Sequence, residues 1–304
     1  MRVVVTGASG FIGRHVVSEL VGAGHSVATL HRSEQRLSGA HEHTQADVLS
    51  EPARAAVRAA EVVVHLAGRG DVQTSFHEPF DYSRLNALGT LNVLEAARGT
   101  GPHVVLASTH RVYQPAREPL SENAPLAPAD PYAVSKLVAE QWCRMYATLF
   151  GVPTTVVRLF SVYGPGQVGQ GTSGVVSIFL TRALRGEPLE VHSVQRRDLT
   201  EVSDVARGIR LVVEQRPARG SAGVYNLAAG VGTSLEELAR LVCRILRSSS
   251  KVMLPPPAHS PEGDRVADMT RARAELGYAP MVGLEQGIRR MADSERRQLA
   301  AAGP

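Results

Sequence analysis

Two side chains one helical turn apart mark the most informative segment of this sequence. In Asp130-Pro131-Tyr132-Ala133-Val134-Ser135-Lys136, Asp130 reads as a helix N-cap and Pro131 as the first helical residue. Tyr132 and Lys136 then share one face of the helix. A cation beside a phenol favours the phenolate and draws the tyrosine pKa towards the working range. Such a pair suits the movement of a proton on and off an oxygen as carbinol and carbonyl interconvert. Lys136 is also placed to hold a nicotinamide ribose. Upstream, Val104-Val105-Leu106-Ala107-Ser108-Thr109 ends a strand-like run in two hydroxyls. A hydroxyl at the carboxyl end of such a strand points into the crevice where ligands bind, so Ser108 or Thr109 can hydrogen-bond the reacting oxygen.

A second constellation lies at the N-terminus. Val3-Val4-Val5-Thr6-Gly7-Ala8-Ser9-Gly10-Phe11-Ile12-Gly13 places glycines at 7, 10 and 13, after a strand and at the start of a helix. Glycine torsions make the turn, the backbone approaches a pyrophosphate closely, and the N–H groups of the helix start meet its charge. Gly7, Ser9, Gly10, Phe11, Ile12 and Gly13 are therefore candidate cofactor contacts. The second strand ends Thr29-Leu30-His31-Arg32-Ser33, with no acid to accept from a ribose 2′-hydroxyl. A carboxylate there would repel a 2′-phosphate, whereas Arg32 can pair with one. The expectation is NADP rather than NAD, with His31, Arg32 and Ser33 around the 2′ position.

The elements that must position these residues follow from the rest of the chain. Strand-like runs at 2–6, 26–31, 62–66, 104–108 and 154–159 alternate with helical stretches at 11–23, 52–59, 83–98 and 131–150. That rhythm predicts an α/β fold with a Rossmann-type, doubly wound parallel sheet. After residue 159 the pattern changes to a glycine-rich loop, helices near 175–185, 203–214 and 234–246, and the run Pro255-Pro256-Pro257. We expect a dinucleotide-binding part over residues 1–160 and a smaller substrate-binding part over 161–304, not cleanly separable. Of the 33 basic residues only Lys136 and Lys251 are lysines. The arginines form no long basic run, so a phosphorylated small ligand is favoured over nucleic acid. No apolar run is long enough to span a membrane. Cys143 and Cys243 have no metal-ligand spacing, and no targeting segment is read at the N-terminus. A cytoplasmic protein without a metal is expected.

Taken together, the sequence resembles the extended short-chain dehydrogenase/reductase family, the NAD(P)-dependent nucleotide-sugar epimerases, dehydratases and reductases. The resemblance covers nearly the whole chain. It rests on Thr6–Gly13, Ala46-Asp47-Val48, Val64-His65-Leu66-Ala67-Gly68, the stretch Asn86 to Leu94, the Tyr132/Lys136 pair and Val157 to Pro165. Arg197-Asp198, Val224-Tyr225-Asn226-Leu227 and Leu276-Gly277-Tyr278 extend it. The resemblance implies that Asp47 and Val48 contact the adenine, that Leu66, Ala67 and Gly68 line the cofactor groove, and that Asn86 supports the active-site geometry. It implies Thr109 as the hydroxyl partner, four residues before Tyr113, with Tyr132 the acid/base and Lys136 its partner. Arg197 and Arg265 match positions that grip a sugar-nucleotide diphosphate. Ser75, Thr109 and Ser161 complete the substrate-side candidates, and Ser108 joins the cofactor side.

Three departures from the family pattern bear on the reaction. Ser161 stands where the family often has Asn. His110 and Arg111 follow Thr109 where sugar 4,6-dehydratases carry an Asp–Glu pair, which argues against dehydration. Ser193-Val194-Gln195-Arg196 replaces the usual Gly-Asp-Gly before the Arg-Asp pair. The expected activity is NADPH-dependent reduction of a nucleotide-linked keto-sugar, at C4 of a deoxyhexose. A nucleotide-sugar 4-epimerase with bound NAD is the alternative, and a non-catalytic cofactor-binding sensor is a minor one. By resemblance, the helices over 83–98 and 131–150 are expected to pair two copies into a homodimer.

Overall fold

The computed structural model describes residues 1–167, 174–215, 217–254 and 263–302. The glycine-rich stretch 168–173 and the triple proline 255–257 lie outside the described residues. The strands in chain order are β1 (Arg2–Thr6), β2 (Ser26–His31), β3 (Glu42–Gln45), β4 (Val62–His65), β5 (His103–Thr109), β6 (Thr154–Leu159), β7 (Ser161–Tyr163), β8 (Leu189–Glu190), β9 (Arg196–Glu201), β10 (Ala222–Leu227), β11 (Gly232–Ser234) and β12 (Val252–Met253). Seven of them form one sheet in the order β10-β6-β5-β4-β1-β2-β3, and every pairing in it is parallel. The direction of winding reverses between β1 and β4, which opens a crevice at their carboxyl ends.

Period-2 alternation distributes each strand between two cores. Val3 and Val5 of β1 pack with α1 (Phe11–Gly22) and, from later in the chain, with Val205, Ile209 and Val212 of the helix Val202–Glu214. Val4 faces the other side, towards α2 (Glu51–Arg58), the helix Gly89–Ala97 and the helix Pro131–Phe150. Burial on both faces explains why these strands are almost wholly apolar. A third core, around Phe179, Leu180, Leu199, Leu238 and Met291, holds the C-terminal layer together.

Two strands depart from the pattern expected from sequence. β3 reads Glu42-His43-Thr44-Gln45 and carries no apolar residue; it pairs only with β2 at the sheet edge. β10 comes from the half expected only to cover substrate, yet it pairs with β6 from Ala222↔Thr154 to Leu227↔Leu159. The sheet therefore does not end at residue 160. Asn226 anchors the added strand, accepting from the Tyr113 hydroxyl at 2.7 Å and donating to the Leu120 carbonyl at 2.8 Å. The helix expected over 83–98 is also split: residues Ser83–Leu88 form a π-helical turn before Gly89–Ala97 continues as α-helix, a local irregularity common at functional positions.

Two buried polar networks fix the elements that carry the site. In the first, Arg158 of β6 meets Glu140 of the helix Pro131–Phe150. Its Nη2 lies 2.7 Å from Glu140 Oε2, and Nε donates to the same carboxylate. Nη1 donates to the Glu122 carbonyl at 3.0 Å, and the guanidinium lies 4.6 Å from the Tyr113 ring centroid. The Ser108 hydroxyl also donates to Glu140. The two charged side chains are 5% and 6% exposed, so removing one leaves the other uncompensated. Arg158→Met is expected to destabilise the fold by about 3–5 kcal/mol in urea denaturation, and Arg158→Met with Glu140→Leu by clearly less. Equal losses in the single and double variants would contradict this account.

In the second network His65 joins the glycine turn to the π-turn. Its Nδ1 lies 2.7 Å from Thr6 Oγ1 and its Nε2 3.1 Å from Thr90 Oγ1. The Thr90 hydroxyl donates to the Asn86 carbonyl at 2.6 Å, and Thr6 Oγ1 accepts from Ala67 N at 3.2 Å. This order of donors assigns the neutral ring with hydrogen on Nε2. Burial, and then the Lys136 charge, push its pKa from 6.5 down to about 3. The unfolded chain therefore takes up this proton first. The stability due to neutral His65 is complete above pH 6.5 and is lost as pH falls towards 3. Thermal melts should show the midpoint dropping below pH 6.5, with a shallower slope in His65→Asn; an unchanged slope would reject the assignment.

Candidate active site

The turn after β1 is built for close approach. Gly7 has φ +67°, and a Cβ there would lie 2.6 Å from Ala67 N. At Gly13, on the first turn of α1, a Cβ would lie 2.3 Å from the Gly7 carbonyl oxygen. Gly10 N donates to Gly7 O at 3.0 Å, and no side chain caps the helix start. Its first turn carries no acid, and Arg14 donates to the carbonyls of Ser9 and Gly10. A backbone cradle whose helix start carries no side-chain cap fits a dinucleotide pyrophosphate. Phe11 and Ile12 line the cleft beside it.

The adenosine side departs from an NAD pattern in a specific way. His31 is buried at the end of β2, and neither ring nitrogen has a hydrogen-bond partner. Its ring lies 4.4 Å from that of His43 on β3. Burial, then the His43 charge, lowers its pKa. Arg32 is exposed, and Ser33 Oγ accepts from Gln35 N at 3.1 Å. Asp47 Oδ1 accepts from Leu49 N at 2.9 Å and shapes its own turn, while Val48 is buried. Leu66, Ala67 and Gly68 follow β4, and Gly68 lies against the Asn86 amide.

Tyr132 and Lys136 stand on the helix Pro131–Phe150, capped as expected by Asp130, whose Oδ1 accepts from Ala133 N at 2.8 Å. The Tyr132 and Thr109 side chains both line the cleft, and the Thr109 hydroxyl acts on the Tyr132 phenol to favour its ionisation. The anticipated lowering of the Tyr132 pKa by Lys136 is not what the chain by itself provides. Burial pushes the phenol up to about 12, only partly offset by the neighbouring Thr109 hydroxyl and Arg111. The Lys136 ammonium donates instead to the Ala107 carbonyl at 2.9 Å, and burial lowers its pKa to about 8. Desolvation outweighs attraction here because both groups are withdrawn from water.

Asn86 positions rather than faces the cleft. Its Oδ1 accepts from Arg69 N at 2.8 Å, and Nδ2 donates to Ser135 Oγ at 2.9 Å. Ser135 Oγ donates in turn to the Tyr132 carbonyl at 2.7 Å. Ser108 lines the cleft but gives its hydroxyl hydrogen to Glu140. Ser75 does not line it: the residue is fully buried, and its hydroxyl donates to the Val72 carbonyl at 2.6 Å within its own helix.

A cleft of about 780 Å³ opens in front of Thr109 and Tyr132. Ser161, Arg197 and Arg265 all line it. Arg197 and Arg265 are paired across a parallel β-bridge, so both residues enter the cleft wall from adjacent backbone positions. His110 is buried with its ring stacked 5.2 Å from Phe160, and burial together with Arg265, Arg111 and Arg197 holds it well below the usual imidazole range. Phe160, Gln195 and Arg182 also line the cleft and were not singled out from sequence. The only cue lay in their nearness to Ser161, to Arg197 and to the expected helix near 175–185.

The geometry has clear counterparts among known proteins. Residues 3–228 match the model of the NAD dependent epimerase/dehydratase family. A UDP-glucose 4-epimerase of Mycolicibacterium smegmatis is 32% identical, over 95% of this chain and 96% of its own. UDP-glucuronic acid decarboxylase 1 of Xenopus tropicalis is 30% identical, over 98% and 73%. The structure of MoeE5 in complex with UDP-glucuronic acid and NAD superposes with a TM-score of 0.88 at 30% identity, covering 98% of this chain and all of that one. With its glycine turn, its Tyr132–Lys136 helix and this likeness along its length, the chain belongs to the NAD dependent epimerase/dehydratase family of enzymes.

Proposed function

We propose that the protein inverts the hydroxyl configuration at C4 of a UDP-linked sugar. One observation carries this: the cleft holds a hydroxyl pair able to move a proton at one substrate oxygen, and no available acid for a second. Among the described residues, the carboxylates near the pair are committed elsewhere. Asp130 caps its helix and binds Arg111, Asp71 caps the helix Val72–His77, and Glu190 lies against Arg182 and His192. Elimination of a neighbouring hydroxyl needs a positioned acid, so dehydration is disfavoured. The 4-epimerase relatives support inversion over net reduction.

A nicotinamide cofactor held by the glycine turn and Lys136 would supply the hydride acceptor and donor for C4, and its positive ring would favour ionisation of a phenol that the chain alone holds near 12. Tyr132 is the group placed to take the proton from the C4 oxygen and to give it back on reduction. Thr109 donates a hydrogen bond to the same oxygen and polarises it while it is a carbonyl. The glycine turn and Lys136 hold the cofactor, and Arg197 with Arg265 hold the diphosphate, while the sugar turns over within the cleft. A C4 ketone beside a C5 carboxylate is a β-keto acid that loses CO₂ without further help. The same residues would therefore decarboxylate a uronic acid that lingers as ketone, as the decarboxylase relative's name implies for that protein.

A second reading, NADPH-dependent reduction of a nucleotide-linked 4-keto-deoxyhexose, is favoured by the end of β2. His31 and Arg32 stand where an acid would hold the ribose of NAD, and they support NADP as cofactor in either reaction. A homodimer and a cytoplasmic setting belong to the same proposal.

The purified protein should interconvert UDP-glucose or UDP-glucuronic acid with the C4 epimer, seen by proton NMR, without net change in nicotinamide absorbance. Tyr132→Phe should lower kcat by about 10²–10⁴ and leave cofactor affinity unchanged. Stoichiometric NADPH loss on a 4-keto-sugar nucleotide, without interconversion, would replace inversion by reduction. Separately, fluorescence titration should show NADPH bound more tightly than NADH, with the order reversed in Arg32→Asp; tighter NADH in the parent would reject NADP.

A further inference from the structure

The two hydroxyls at the centre of the site come from different segments. Thr109 ends β5, and Tyr132 sits in the first turn of the helix Pro131–Phe150. Both side chains line the cleft. In the proposed reaction one substrate oxygen has to bond to both hydroxyls, so the strand end and the helix start must be kept at a fixed separation.

Arg111 is placed to do so. It lies in the 3₁₀ turn His110–Val112 that follows Thr109. Its backbone N–H donates to Thr109 Oγ1 at 3.2 Å, orienting that oxygen. Its side chain crosses to the helix, where Nε and Nη2 each lie 2.8 Å from Asp130 Oδ2. The other carboxylate oxygen of Asp130 accepts from Ala133 N at 2.8 Å and so fixes the turn that carries Tyr132. Asp130 is 4% exposed at its side chain and Arg111 28%. The ion pair is therefore shielded on one side and borders the cleft on the other. One residue touches the hydroxyl of one segment through its backbone and the cap of the other through its guanidinium.

We propose that Arg111 is a positioning residue, a brace that holds the Thr109 strand end against the Tyr132 helix start at the separation one substrate oxygen needs to meet both hydroxyls. The proposal rests on Tyr132 and Thr109 acting on the substrate oxygen, as set out above. Arg111 occupies a position where sugar dehydratases carry the second acid of their pair, so a position used elsewhere for proton transfer is here used for geometry. The pair also matters electrostatically. Tyr132 is faced by Asp130 and Arg111, and by the Tyr82 ring at 6.3 Å. Asp130 opposes its ionisation and Arg111 favours it.

The two roles separate in a small set of variants assayed on UDP-sugars with the full chain. Arg111→Met is expected to lower kcat by about 10²-fold, as for a small misplacement of reacting groups, with KM little changed. It should also move the ionisation that limits the rate to higher pH, since Asp130 is left unbalanced. Adding Asp130→Asn, which can still cap the helix, should return the pH limb towards that of the parent without restoring kcat. Arg111→Lys should fall between parent and Met. Wild-type kcat in Arg111→Met, or full recovery in the double variant, would overturn the brace. Hydrogen–deuterium exchange gives a reading independent of turnover: peptides covering 109–113 and 130–136 should both exchange faster in Arg111→Met, and unchanged protection would also overturn it. If the parent turns over no UDP-sugar, the proposed activity fails while the exchange result still decides the brace.

Discussion

Seven strands that all run the same way impose the constraint on which this molecule depends. A parallel sheet buries its inner strands on both faces, so those strands are apolar nearly throughout and most connections carry a covering helix, the polar edge strand β3 excepted. The carboxyl ends then share one edge. Thr6 with the glycine turn, His31, His65 and Thr109 all lie at those ends, although about a hundred residues separate the first from the last. The crevice between β1 and β4 is where these ends diverge, and the glycine turn and the Ala67–Gly68 segment face each other across it.

Within that frame, buried polar groups are chained together rather than left single. Thr6, His65, Thr90 and Asn86 form one ordered sequence of donors, and Asn86 continues through Ser135 to the Tyr132 carbonyl. Ser108, Glu140 and Arg158 form another beneath the catalytic helix. Such networks are costly to leave half-satisfied, so each member fixes its neighbours. The glycine turn, the π-turn and the helix of Tyr132 therefore behave as one assembly. Desolvation explains why the ionisable groups are not in their ordinary states: it pushes Tyr132 up to about 12 and Lys136 down to about 8. The lysine is held by a carbonyl at the floor of the crevice, where an ammonium fits and a planar guanidinium would not.

Chemistry in this family turns on what surrounds a shared proton-transfer pair. Here the two residues after Thr109 are a neutral, buried imidazole and an arginine tied to the helix cap. Neither is a positioned acid of the kind that elimination of a hydroxyl requires. At the end of β2, two histidine rings tilted against each other and an exposed arginine stand where the sequence shows no acid.

Much of the architecture was legible in the sequence because its causes are local. The glycine spacing, the Asp130-Pro131 helix start and the β-branched runs each follow from torsion, capping or two-sided burial, and β1, β2, β6 and the helix Pro131–Phe150 have the bounds expected. The polar edge strand β3 escaped notice because an edge needs no apolar face. The seventh strand escaped because its pairing with β6 spans more than sixty residues of chain and has no local cause. Tertiary structure alone decided the rest: that Ser75 turns inward, that Lys136 donates to the Ala107 carbonyl, and that Arg111 meets Asp130. These are distances between segments remote in sequence. Residue types set which partners are chemically possible, and only the packed fold selects among them.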